Sequence, residues 1–267
     1  MLGLKNHLVI GLTTYNTALL RVSVAALGRI PKKFLLIIHN DNPAEHVDVR
    51  DIRQMGYHGR VVVMNASENI GLMRARLAIV TAARDAKWIL FANDDDVVTN
   101  ADIPQARAEN FAIIQNSITV ATRLSDFATA ITAPDKLIPD GKNIILNRPN
   151  IGMAGTLIRF DVMCRVADVL NAAADKISAI DDSLDYAPPT DQMMWAAIRG
   201  IGAQTAPDAT PIYMDSVNYI KNGLDRADVK YGRPVLSGAN AHTRIQHALA
   251  RYEAEIADAM AAAAVAA

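Results

Sequence analysis

A chain of 267 residues with 27 basic and 28 acidic side chains carries a formal charge of −1, which supplies no net field to draw in nucleic acid or an anionic membrane, although a local basic groove stays open. The single cysteine, Cys164, excludes an intramolecular disulfide and a Cys/His zinc framework. The length allows one large α/β domain or two small ones, with a sizeable core, and the first apolar run is too short for a signal-peptide core or a membrane span, so a soluble, cytoplasmic protein is expected.

Four apolar runs rich in β-branched residues recur early, at 7–12 (HLVIGL), 34–39 (FLLIIH), 60–65 (RVVVMN) and 88–93 (WILFAN). Their continuous apolarity predicts strands covered on both faces. Between them Leu19, Leu20, Val24 and Leu27, and later Met73, Leu77 and Val80, recur at helical spacing. That alternation predicts βαβ units and a mostly parallel sheet flanked by helices, with ligands at the carboxyl ends of the strands. Those ends are polar: TTYN (13–16), NDNP (40–43), NASENIG (65–71) and NDDDV (93–97).

Beyond residue 100 the pattern changes. One or two strands of period two are expected within 116–134, and a short strand running into a helix within 155–173. PPTDQMMWAAIRGIGAQT (188–205) opens with helix-start residues and predicts a helix that Gly200 and Gly202 end. A strand is expected at 210–217, a mobile loop at 218–242 and a last helix from His242 to Met260. The alanine-rich 261–267 lacks a cap and is expected to fray. With no linker rich in serine and glycine, residues 1–260 are expected to form a single domain.

Chemistry concentrates at WILFANDDDVVTN, where Asp94, Asp95 and Asp96 follow an apolar strand directly. Adjacent carboxylates repel one another and resist desolvation, so they need a cation, hydrogen-bond donors or open solvent. A hard divalent ion such as Mn²⁺ or Mg²⁺ prefers such oxygens, and a D-x-D spacing lets one carboxylate hold the metal while another holds a sugar hydroxyl. The plainer alternative is a solvated turn or a helix cap. Asp191 poses a similar choice. At a helix start the dipole favours its ionised form, which suits a general base, and P-T-D-Q is also an ordinary cap. No glycine-rich phosphate loop or G-x-G-x-x-G follows an early strand, which argues against a nucleotidyltransferase and a dinucleotide dehydrogenase.

In their order, VIGLTTYN, IIHNDNP, NIGLMRARL, WILFANDDDVV and PTDQMMWAAIRGIG resemble the inverting family 2 glycosyltransferases of the GT-A fold, over about residues 7–205. The resemblance implies a GT-A domain with a nucleotide-binding half (1–100), an acceptor half (101–217) and a C-terminal loop and helix (218–260). It implies a nucleotide-sugar donor, UDP-linked by default, a Mn²⁺ or Mg²⁺ cofactor, and transfer to a hydroxyl. On this likeness Thr13, Thr14, Tyr15 and Asn16 match the loop that contacts the nucleobase, and Asp41 matches the acid bound to base or ribose, with a turn-forming role as its alternative. Asn69, Gly71 and either Arg74 or Arg76 match a donor-facing stretch. Two positions on a helix differ by about 200 degrees, so only one of those arginines can face the cleft. Asp94 and Asp95 are placed with the donor, Asp94 and Asp96 with the metal, His242 as a further ligand, and Asp191 as the base.

The chain departs from the family pattern at Asn93 and Thr190, where the family commonly carries acids. Lys221, Arg226, Lys230 and Arg233 are expected on the late loop, as cations for the leaving diphosphate or as a solvated surface. Trp195 is read either as an acceptor-site aromatic or as core. The acceptor is expected to be a saccharide or small molecule. The alternatives are a hydroxymethylated DNA base, as modified by some viral glycosyltransferases, and a non-catalytic nucleotide-sugar-binding protein.

Overall fold

The computed structural model describes residues 8–98, 101, 103, 112–121, 153–205, 212–222 and 240–266. They divide into two compact units, one drawn from Met1–Pro149, Ala154–Phe160 and Thr210–Asp225, the other from Asn150–Met153, Asp161–Ala209 and Arg226–Ala267.

The first unit holds the sheet. Its strands are β1 (Leu8–Thr14), β2 (Leu35–Asn40), β3 (Arg60–Asn65), β4 (Trp88–Asn93), β5 (Val97–Val98), β6 (Ile113–Ala121), β7 (Thr156–Arg159) and β8 (Ile212–Asn222). Among the described residues they line up as β3-β2-β1-β4-β7-β6-β8-β5. Pairing is parallel from β3 through β4, antiparallel from β4 to β7 and from β7 to β6, parallel between β6 and β8, and antiparallel at β5. Helices α1 (Thr17–Leu27), α2 (Val49–Gln54) and α3 (Gly71–Ala82) are the early crossovers. The expected α/β architecture is therefore present.

Alternation along the strands sorts the two faces. Leu8, Ile10 and Leu12, Leu36 and Ile38, and Trp88, Leu90 and Ala92 meet Leu20, Val24 and Leu27 of α1 and Ile52 of α2 in one buried cluster. The opposite face packs on α3. There β1 carries Gly11, where a Cβ would stand 2.6 Å from the Ile79 side chain. The strand and helix approach too closely for any other residue without displacement. RVVVMN, expected to be covered on both faces, is the edge strand β3, and Val62 is 41% exposed. Three valines give the same apolar run at an edge as in the middle of a sheet.

The described part of the second unit is helical: the body of α4 (Phe160–Ala172), then α5 (Ala174–Asp182), α6 (Thr190–Thr205) and α7 (Ala241–Ala266). Helix α7 packs on α5 and α6, and the ion pairs Lys176–Glu255 (2.7 Å) and Arg199–Glu253 (3.0 Å) tie their surfaces. The glycines expected to end α6 lie inside it. A Cβ at Gly200 would meet Met260 Sδ at 2.8 Å, so this glycine lets two helices close on each other. Helix α7 also runs through the alanine-rich segment to Ala266, in keeping with alanine's helix propensity. Residues 218–222 belong to β8 rather than to a loop, with Lys221 near the strand's end, whereas 122–134, Arg226, Lys230 and Arg233 lie outside the described residues. Among the described residues no helix is long and apolar enough to cross a membrane.

Candidate active site

At the carboxyl end of the parallel strands, Thr13 of β1 lies in register with His39 of β2 and Asn93 of β4. The chain leaving β4 is tied back to β1, with Asp94 N donating to Thr13 O at 3.1 Å. Asp94 is fully buried, and its Oδ2 accepts from the Thr14 hydroxyl (2.9 Å), Tyr15 N (3.0 Å) and Asn16 N (3.2 Å). One carboxylate thus builds the loop expected to contact the nucleobase. Asn16 is the N-cap of α1 and accepts from Ala18 N at 3.0 Å, while Thr17 N donates to Glu45 at 3.1 Å. Tyr15 is half-buried.

Ser23 of α1, which no motif marks, reaches the same turn from beneath. Its buried hydroxyl lies 3.1 Å from Asn93 O, 2.8 Å from Asp94 O, and in a short contact with Asp96 O. Its one signal in the sequence is a polar residue on the stripe of Leu20, Val24 and Leu27.

The asparagines at the neighbouring strand ends do similar work. Asn40 Nδ2 donates to Glu45 O (2.7 Å) and Asn65 Oδ1 (3.1 Å), Asn65 pairs with the Val47 backbone in both directions (3.0 and 2.9 Å), and Asn42 Nδ2 donates to Tyr15 O at 3.1 Å. Asp41 spans from β2 to α3, its oxygens accepting from Ile70 N (2.9 Å) and Gly71 N (2.8 Å). Its carboxylate caps a helix that begins without a side-chain cap of its own. Burial raises the Asp41 pKa, and the two amides oppose that shift. Gly71 has φ +80 in open space, so the left-handed backbone is what calls for glycine there. Asn69 Oδ1 also accepts from Gly71 N, at 3.0 Å.

Of the two competing arginines, Arg76 turns inward and is 1% exposed, whereas Arg74 is half-buried. The Arg76 guanidinium lies over the Phe91 ring, 5.5 Å from its centroid, and its Nη2 donates to Asn93 Oδ1 at 3.3 Å. Asn93 Nδ2 in turn donates to Asp96 Oδ2 at 2.7 Å. An amide standing where an acid was expected therefore relays a buried cation to a carboxylate, accepting on one side and donating on the other, which an aspartate cannot do. His39 is 4% exposed with Nδ1 unpartnered, and burial lowers its pKa against the pull of Asp41.

In the second unit, Asp191 sits half-buried in the first turn of α6, behind Thr190 and a Pro188–Pro189 pair. Trp195 is 1% exposed and belongs to the core. His242 is exposed in the first turn of α7. Among the described residues no group of three or more His, Cys, Asp or Glu gathers to hold a metal.

No family model matches the sequence, and no curated protein does. Solved structures do. Staphylococcus aureus TarS 1–349 in complex with UDP-GlcNAc matches with TM-score 0.55 at 11% identity, over 92% of this chain and 66% of that one. Its UDP complex matches with TM-score 0.51 at 12% identity, over 92% and 64%. The mannosyltransferase PcManGT from Pyrobaculum calidifontis, in complex with GDP-Man and Mn²⁺, matches with TM-score 0.50 at 13% identity, over 99% and 77%. The chain thus spans less than two thirds of the TarS structures. At these identities the likeness is one of architecture, and it agrees with the strand order and crossovers above: the chain has a GT-A-like fold.

Proposed function

We propose that the protein is a glycosyltransferase that moves a sugar from a nucleoside-diphosphate sugar, with UDP the first candidate, to an acceptor hydroxyl with inversion. The observation that carries this reading is the turn at Asp94–Asp96, where three carboxylates are buried to 5% exposure or less at the carboxyl end of a parallel sheet. Like charges so withdrawn from water need compensation. Donors supply it for Asp94 and the Arg76–Asn93 relay for Asp96. Beyond these, Asp95 and Asp96 offer the hard oxygen chemistry that suits Mn²⁺ or Mg²⁺. Such ions commonly take one or two protein carboxylates and complete their shell with phosphates and water, so the residues present fit one.

Asp96, with Asp95 beside it, would hold the metal, which would supply charge stabilisation for the departing diphosphate. Asp94 then holds the loop 14–16 in shape for the nucleobase, with Tyr15 as the ring that meets it. Arg76 contributes a fixed positive charge at the strand ends, and Asp41 sets the start of α3. Asp191 takes the proton from the acceptor hydroxyl as its oxygen attacks the anomeric carbon, and one displacement inverts the configuration. The acceptor is a saccharide or small-molecule hydroxyl in this reading. Nucleotide-sugar complexes of similarly folded proteins, one of them with Mn²⁺, support the donor class.

The test is thermal stability against UDP, GDP, CDP and dTDP, each with and without Mn²⁺. A nucleotide at about 100 times its dissociation constant should stabilise by roughly 2.7 kcal/mol. The gain should require Mn²⁺ and vanish in Asp96→Asn. A chain that no nucleotide stabilises, with or without metal, contradicts the proposal.

A further inference from the structure

Helix α7 grips the segment that leads into Asp191, and the contacts converge on one residue. The guanidinium of Arg244 pairs with Asp185 and lies over the Tyr186 ring, 5.2 Å from its centroid. The carbonyl of Arg244 accepts from the Tyr186 hydroxyl at 3.2 Å. Two turns further along α7, the end of α5 is held as well: Arg251 Nη1 donates to Ser183 Oγ at 2.9 Å, and the Tyr252 hydroxyl donates to Asp181.

The chain beyond Tyr186 is stiff. Ala187 leads to Pro188 and Pro189, whose rings fix φ. Thr190 N donates to Pro188 O at 2.8 Å, and Met193 N to Pro189 O at 3.1 Å, so the first turn of α6 is bonded directly to the proline pair. Tyr186 is 3% exposed and Thr190 9%, which leaves this strut little room to move sideways. The Arg244–Asp185 pair itself is open to solvent, with the side chains 46% and 71% exposed, so its worth as a stabilising ion pair is small. Its geometric effect is larger, because it fixes the near end of a rigid lever whose far end is Asp191.

We propose that Arg244 is a positioning residue for the reaction: through Asp185, Tyr186 and the proline pair it sets where the Asp191 carboxylate stands. This rests on the reading of Asp191 as the base. Small displacements of a catalytic group lower turnover much more than they lower binding, so the effect belongs in kcat.

The experiment compares Arg244→Ala, Arg244→Lys and Arg251→Ala in the full chain with Mn²⁺. It follows hydrolysis of UDP-GlcNAc and of GDP-mannose, with water as the acceptor that Asp191 deprotonates and nucleoside diphosphate as the leaving group, together with amide hydrogen exchange at residues 190–194. Arg244→Ala should lower kcat by about ten- to a hundred-fold at unchanged donor KM and speed exchange at 190–194. Arg244→Lys, which keeps a cation for Asp185 and the ring, should recover most of both. Arg251→Ala releases Ser183 at the end of α5, farther from the lever, and should leave kcat unchanged. Unchanged exchange at 190–194 in Arg244→Ala overturns the proposal. So does an equal loss of kcat in Arg251→Ala, since that would make the effect one of general helix docking. If Asp191→Asn keeps wild-type release while Arg244→Ala still speeds exchange, the base assignment fails and the mechanical link stands.

Discussion

Asp94 and Asp191 are both carboxylates at the ends of secondary elements, and they differ in how far they are buried. Asp94 is fully buried, with a hydroxyl and two backbone amides directed at one oxygen. Asp191 stands half-buried in the first turn of a helix. A carboxylate saturated by its own fold is fixed in position, and removing it leaves several donors stranded. A base must instead give its oxygens to a partner that arrives and departs. On the proposed reading the pair separates an acid that builds a site from one that works in it.

The largest test of that separation is Asp191→Asn. Removing a general base should lower transfer by about 10²–10⁴-fold, with the melting temperature and Mn²⁺-dependent nucleotide binding unchanged. A parallel loss of stability would erase the contrast. Asp94→Ala should do the reverse, costing roughly 2–4 kcal/mol in denaturant unfolding because the donors of residues 14–16 lose their acceptor. Its nucleotide affinity should fall only through the disordered loop. An unfolding free energy equal to wild type would show that Asp94 is not structural.

Smaller effects sharpen the picture around Asp41. Gly71→Ala forces a side chain onto φ +80 and should cost about 1–2 kcal/mol, measurable by thermal unfolding. His39 gives a pH signature. Its folded-state pKa lies below the ordinary 6.5, so as pH falls through 6.5 the unfolded chain takes up a proton that the folded chain refuses. Stability present above that pH should then decline by at most about 1.4 kcal/mol per pH unit. Asp41, shifted upward, acts in the opposite sense nearer its own ordinary 3.8. His39→Gln should flatten the slope just below pH 6.5, and a slope identical to wild type would mean His39 does not titrate differently on folding.

Much of the frame is legible in the chain because burial on both faces of a parallel strand leaves an apolar run that few other contexts produce. β1, β2 and β4 lie within a residue or two of where those runs end. β3 shows the limit, since covalent pattern records apolarity and does not record which strand lies outermost. The acidic turn was legible as charge that needed an explanation. Its division of labour was not, because the donors that claim Asp94 come from about 80 residues earlier. Asn93 appeared as a departure from the expected acid, and only its two neighbours in space explain it as a relay. Gly200 misled for a similar reason: a missing side chain signals a helix end locally and close helix packing at a distance.

Beneath the acidic turn, Ser23 has a single hydroxyl hydrogen and three carbonyl oxygens within reach, on Asn93, Asp94 and Asp96. The proton can pass from one carbonyl to the next by rotation about the Cβ–Oγ bond alone, with no heavy atom leaving its place. The floor under the carboxylates is thus pinned to α1 at one point, a single hydroxyl that three carbonyls of the turn share.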